Sequence, residues 1–203
     1  MTIQSAEEVD NALGEIDELR GNRGNGLGVC VVGYPGAGKT TFAEAMESQL
    51  ESKMQADTKR FDLTNQREYL YTTNDNYIED VAVSQSLSGE THGVVDDVQS
   101  MDEMVQLAPF FDRLCIVLVL SNALARHNRL IKREMNGEGR EELVSNDTLR
   151  HLDERIGNRG LETIKKLKVR DYELENVALT QEEIEQASTY LAQKIITDYT
   201  DLR

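Results

Sequence analysis

Gly33-Tyr34-Pro35-Gly36-Ala37-Gly38-Lys39-Thr40 fills every fixed place of the pattern G-x-x-x-x-G-K-[ST]. The glycines let the backbone curl so that successive N–H groups point inward at an anion, and a helix starting directly afterwards turns its positive end to the same oxygens. Lys39 is placed to reach β- and γ-phosphates, and the Thr40 hydroxyl to bind magnesium. The expected ligand is therefore a nucleoside triphosphate such as ATP with Mg2+, cradled by Gly33, Pro35, Gly36, Ala37, Gly38, Lys39, Thr40 and Thr41. Thr41 either touches the α-phosphate or begins the helix.

Such a loop needs a strand before it and a helix after it, and the sequence supplies both. Gly28-Val29-Cys30-Val31-Val32 is a short β-branched run of the kind buried on both faces of a parallel sheet. Residues 41–53 place Phe42, Ala45, Met46, Gln49 and Leu50 on one helical face. A magnesium–triphosphate site also needs a carboxylate at a neighbouring strand tip. The run 92–95 is a second buried strand ending on Asp96 and Asp97. Asp96 is the expected metal ligand and Asp97 the reserve; the plainer alternative is that both cap the following turn.

Along the rest of the chain, Ser5 and Glu8 stand in capping-box spacing ahead of Val9, Leu13, Ile16 and Leu19. An amphipathic helix is expected over residues 1–20, its apolar stripe packed on the domain, on a protein partner or on a second copy. Residues 21–27 read as a glycine-rich connector, and residues 28–203 as the nucleotide-binding domain. The stretch 55–76 is polar and its strands cannot be placed, and 76–87 suggests a helix. Ser100 with Glu103 opens a capped helix that Pro109 closes, and 114–120 is the strongest strand pattern. Helices follow over 123–135, 147–156 and 161–167, a last strand over 169–174, and a helix from the Thr180–Glu183 cap to about Tyr199. Strands separated by helical patterns imply a parallel sheet covered on both faces.

Composition narrows the function classes. With 22 Lys and Arg against 37 Asp and Glu, the formal charge of −15 counts against sequence-independent nucleic-acid binding, which needs clustered cations. No apolar run is long enough to span a bilayer and the N-terminus is acidic, so a cytoplasmic protein with no membrane partner is expected. Cys30 and Cys115 sit inside apolar runs and read as small buried hydrophobes, while His92, His127 and His151 are scattered singly, which gives no reason to invoke zinc.

The order of these motifs resembles the nucleoside monophosphate kinase group of P-loop NTPases, the adenylate-kinase-like fold, and especially archaeal proteins related to dephospho-coenzyme A kinase. In that group the second strand ends in Asp-Gly; here Val95-Asp96-Asp97-Val98-Gln99 stands in its place, with Asp97 for the glycine and Gln99 where many such kinases carry an arginine for the acceptor phosphate. Residues 115–121 and 125–133 are similar to the group's strand and arginine-bearing helix. Gly139-Arg140-Glu141-Glu142 is similar to its lid signature, and 148–155 resembles the helix that returns an arginine to the phosphates.

The resemblance implies a three-layer α/β P-loop NTPase: a mainly parallel five-stranded sheet, helices on both faces and a short lid over about 136–145. It also implies a kinase, with Lys39, Arg129, Arg133, Arg140 and Arg155 neutralising the transferring phosphate and a nucleotide or nucleotide-like molecule as acceptor. Arg60 and Arg67 are candidates for the acceptor's phosphate, and Tyr69, Tyr71 and Tyr77 for stacking on a base. For each arginine the plainer alternative is a surface partner of the many acids. The rival from another class is a P-loop ATPase acting as a nucleotide-dependent switch or assembly factor. Gln99 and the tethered N-terminal helix favour it.

Overall fold

Near-continuous apolar runs along the inner strands set the architecture, because a strand covered by helices on both sides must bury both of its faces. The computed structural model describes residues 5–20, 26–54, 57–63, 91–136, 145–167, 169–177 and 179–202. Its elements are α1 (Ala6–Leu19), β1 (Gly26–Val32), α2 (Lys39–Met54), β2 (Thr58–Asp62), β3 (His92–Val98), α3 (Met101–Leu107), β4 (Phe111–Leu120), α4 (Ala123–Met135), α5 (Asn146–Ile156), α6 (Glu162–Lys166), β5 (Tyr172–Glu175) and α7 (Gln181–Thr200). A short 3-10 turn joins α3 to β4, and a wide turn at Gly157–Leu161 joins α5 to α6. The five strands pair in the order β2-β3-β1-β4-β5, and every pairing is parallel.

On one face of the sheet, Leu27, Val29, Val31, Val94, Cys115, Val117 and Val119 pack with Phe42, Met46 and Leu50 of α2 and Leu191, Ile195 and Ile196 of α7. On the other face, Cys30, Val32, Val95, Leu114, Ile116 and Leu118 pack with α1, α3 and the α5–α6 region. Helix, sheet, helix is the three-layer arrangement expected. Burial pushes the thiols of Cys30 and Cys115 well above their ordinary value, as befits small core residues on opposite faces.

The α1 capping box is present, with the Ser5 side chain accepting from the Glu8 N–H and Glu8 bonded back to the Ser5 backbone. Its stripe of Val9, Ala12 and Ile16 is buried in the same cluster as α3, so the chain's own domain covers it. Among the described residues, no helix is long and apolar enough to cross a membrane.

Several boundaries depart from the sequence reading, the start of β4 at Phe111 rather than 114 among them. β1 begins at Gly26, inside the stretch read as connector; a Cβ there would lie 2.0 Å from the Thr91 carbonyl oxygen, so this glycine is dictated by close strand approach. β2 lies in the stretch that could not be placed. It is an edge strand in which Phe61 alone is buried, so it carries no alternating pattern to read. β5 starts at Tyr172 rather than 169, because the Val169 N–H bonds the Ile164 carbonyl at the end of α6 and Val169 packs there. The helix expected over 76–87 and nearly all of the lid lie outside the described residues.

Candidate nucleotide-binding site

In this strand order β1 lies between β3 and β4; the connection leaving β1 runs past β3 to β2 and the one leaving β3 runs past β1 to β4, so two neighbouring strands send the chain to opposite sides and a crevice opens at their carboxyl ends. The glycine-rich loop runs from the end of β1 into α2. Gly36 (φ 74) and Gly38 (φ 106) take left-handed backbone angles; a Cβ on Gly36 would meet the Arg126 carbonyl oxygen at 2.9 Å, and one on Gly38 the Asn176 amide at 2.7 Å. The loop is thus curled and closely backed, as an anion cradle must be.

Lys39 is only 8% exposed and opens α2. Its ammonium lies 3.1 Å from Asp97 Oδ1 and donates to the Tyr34 carbonyl at 3.3 Å. The Thr40 hydroxyl donates to Asp96 Oδ2 at 2.9 Å. Asp96 and Asp97 are both buried, and Asp96 Oδ1 is buried with no hydrogen-bond partner. Burial, with Asp97 and Asp62 nearby, raises the Asp96 pKa; Lys39 and Thr40 oppose that rise. An orphaned carboxylate oxygen beside a threonine hydroxyl is a donor set that suits magnesium, a hard cation that keeps several waters and takes one or two protein oxygens. Thr40 and Asp96 therefore fit that ion.

Asp97 has φ 67, the left-handed geometry, at the position where the resemblance places a glycine. Gln99, also buried, donates its side-chain amide to Asp97 Oδ2 at 2.9 Å, and its backbone N–H bonds the Glu103 carboxylate at 2.6 Å. Gln99 is folded back into β3's own tip.

The arginines divide into four groups. Arg129 braces the loop from behind: it donates to the Gly36 carbonyl at 3.0 Å, to Ser121 Oγ at 3.0 Å and to Asn176 Oδ1 at 2.7 Å. Burial, and then the like charge of Arg133, lowers its pKa. Arg133 and Arg155 are exposed, on the last turns of α4 and α5. Arg140 and Arg67 lie outside the described residues, as do Tyr69, Tyr71 and Tyr77. Arg60 pairs with Glu44 and Glu47 of α2 at 3.2 and 3.3 Å, an ordinary surface arrangement.

Four residues outside the loop, Arg126, Asp153, Glu162 and Asn176, received no role in the sequence reading. Arg126, 3% exposed, forms a two-pronged pair with Asp153 of α5 at 2.8 and 2.5 Å, donates to the Pro35 carbonyl at 3.3 Å and lies 5.0 Å over the Tyr34 ring. The Tyr34 hydroxyl donates to Glu162 at the start of α6. Asn176, after β5, donates to the Ala37 carbonyl at 2.8 Å. Each of these residues supports the loop from a different element, and only their position in space, not their spacing, connects them to it.

Comparison with solved structures agrees with this architecture. A gluconokinase from Sinorhizobium meliloti 1021 superposes with a TM-score of 0.51 and 14% identity over 90% of this chain and 99% of its own. Kti12 from Chaetomium thermophilum, solved with ADP-AlF3, gives a TM-score of 0.54 and 14% identity over 82% and 97%. The chain has a P-loop kinase-like fold. An uncharacterized protein from Eubacterium ventriosum ATCC 27560 is similar as well, at a TM-score of 0.50 and 10% identity over 87% and 99%. No protein-family model matches the chain, and comparison with curated proteins finds no match.

Proposed function

We propose that this chain is an ATP-dependent phosphotransferase acting on a small molecule. The observation that carries the proposal is the convergence of Lys39, Thr40 and the orphaned Asp96 oxygen at the mouth of a curled glycine loop. In the proposed reaction an acceptor oxygen attacks the γ-phosphorus, the bond to the bridging oxygen breaks, and ADP leaves with the electron pair. Lys39 and the loop amides hold and neutralise the phosphates throughout. Thr40 and Asp96 would hold magnesium, which supplies further neutralisation of phosphate charge. Arg129 keeps the loop curled through Gly36, and the exposed Arg133 and Arg155, together with Arg140, are the candidates to close over the transferring group. Positioning and electrostatics supply the catalysis, so no covalent enzyme intermediate is needed.

A nucleotide or nucleotide-like acceptor is the finer reading, carried by the resemblance in the sequence. Of the two arginines considered for its phosphate, Arg60 is engaged by α2 and Arg67 lies outside the described residues. The test is incubation with magnesium ATP and a panel of nucleoside monophosphates, dephospho-coenzyme A, sugar acids and polyols, each assayed for acceptor-dependent ADP formation. A member that accelerates ADP formation and gains a phosphate supports the proposal and names its class. Magnesium-dependent ATP breakdown that no small molecule accelerates favours the switch or assembly ATPase.

A further inference from the structure

Around Lys39 the fold has placed two buried carboxylates and one buried cation. Asp96 and Asp97 are 4% and 6% exposed and Lys39 is 8% exposed. The Lys39 ammonium, the group expected to reach the terminal phosphates, is held by Asp97 at 3.1 Å. Asp97 is itself fixed twice over: Gln99 donates to its second oxygen at 2.9 Å, and its backbone is in the left-handed region. Asp is among the residues that tolerate this backbone, so the position could hold a glycine or a carboxylate, and here it holds the carboxylate that pairs with Lys39.

We propose that Asp97 makes this site select the magnesium complex of the triphosphate over the free triphosphate. The inference rests on the reading that the loop binds a triphosphate, and it concerns which form is bound. A phosphate oxygen approaching Lys39 meets the Asp97 carboxylate already on that ammonium, with the Asp96 carboxylate alongside. The free triphosphate brings its full negative charge into a cluster that is already net negative. With the divalent cation held by Asp96 and Thr40, the cluster turns from net negative to net positive, and the three donors of Lys39 can serve Asp97 and a phosphate oxygen together. Like charges about 5 Å apart at an effective dielectric near 20 change affinity by roughly tenfold to a few hundredfold, so one carboxylate suffices for a large preference.

The experiment titrates ATP by calorimetry into wild type, Asp97→Asn and Asp97→Gly, once with excess magnesium and once with EDTA. Asparagine tolerates the left-handed backbone and can still accept the Gln99 amide, glycine suits that backbone better, and Asp96 remains beside Lys39 as a counter-charge; urea denaturation alongside selects the variant that stays folded. The expected result is a wild-type preference for Mg-ATP that shrinks by about tenfold or more in both variants, through a gain in free-ATP affinity. The inference is overturned if the variants keep the wild-type preference, or if they lose affinity for Mg-ATP, which would make Asp97 a metal ligand instead. Binding of neither form by any of the three proteins would instead sink the triphosphate reading itself.

Discussion

Lys39 and Asp97 form a buried ion pair, and removing one partner of such a pair leaves the other desolvated and uncompensated. Lys39→Ala is therefore expected to abolish Mg-ATP binding and also to destabilise the fold by about 3–5 kcal/mol. Adding Asp97→Asn is expected to return most of that stability and none of the binding. Urea denaturation of the two variants alongside calorimetry separates these effects; a Lys39→Ala protein as stable as wild type would mean that the pair is not desolvated in solution. The glycine loop was fully legible because its pattern is written in eight consecutive residues. Asp97 was legible as the reserve carboxylate at the tip of β3 and as a departure from a glycine, and its positive φ gives that departure a physical meaning. Asn176 and Arg126 could not be found from sequence, since each reaches the loop across more than 85 residues.

Elements meet the loop through Tyr34, whose hydroxyl ties it to α6 and whose ring lies under Arg126 and, at 5.7 Å, Lys165. The Tyr34 hydrogen bond, ahead of Lys165 and Lys166, holds the Glu162 carboxyl below its ordinary value of 4.5. A depressed acid stabilises the fold above its unfolded pKa, and that contribution fades as pH falls through the lower folded value. Tyr34→Phe is thus expected to cost about 1–2 kcal/mol at pH 7, a hydrogen bond to a charged group discounted for partial exposure. The gap between variant and wild type should close as pH drops below about 4.5. Thermal unfolding from pH 7 to pH 3 checks this, and a gap that stays constant across the range would remove Glu162 as the partner. Elements with caps or long periodic faces were legible: α4 and α7 fall within about two residues of their expected ends, and α1 opens directly after the expected Ser5 cap. β2 was not, because an edge strand with one buried residue has no period to detect, and the start of β5 was misplaced because Val169 is apolar for the sake of α6.

At the scale of the whole molecule, the layer order followed from alternating strand and helix patterns, since parallel strands need crossovers that cover both faces. What those patterns could not convey was how many elements converge on one loop. The ends of β1, β3, β4 and β5 and the starts of α2 and α6 all contribute to the site or its support. If this assembly moves the terminal phosphate of ATP to a small molecule, the fate of the label shows it when the purified chain is incubated with magnesium, γ-labelled ATP and a protein-free extract of cellular small molecules. Label is expected in an organic phosphate that forms only with the extract present and is absent with Lys39→Ala. Label recovered solely as inorganic phosphate, at the same rate with and without the extract, would contradict it.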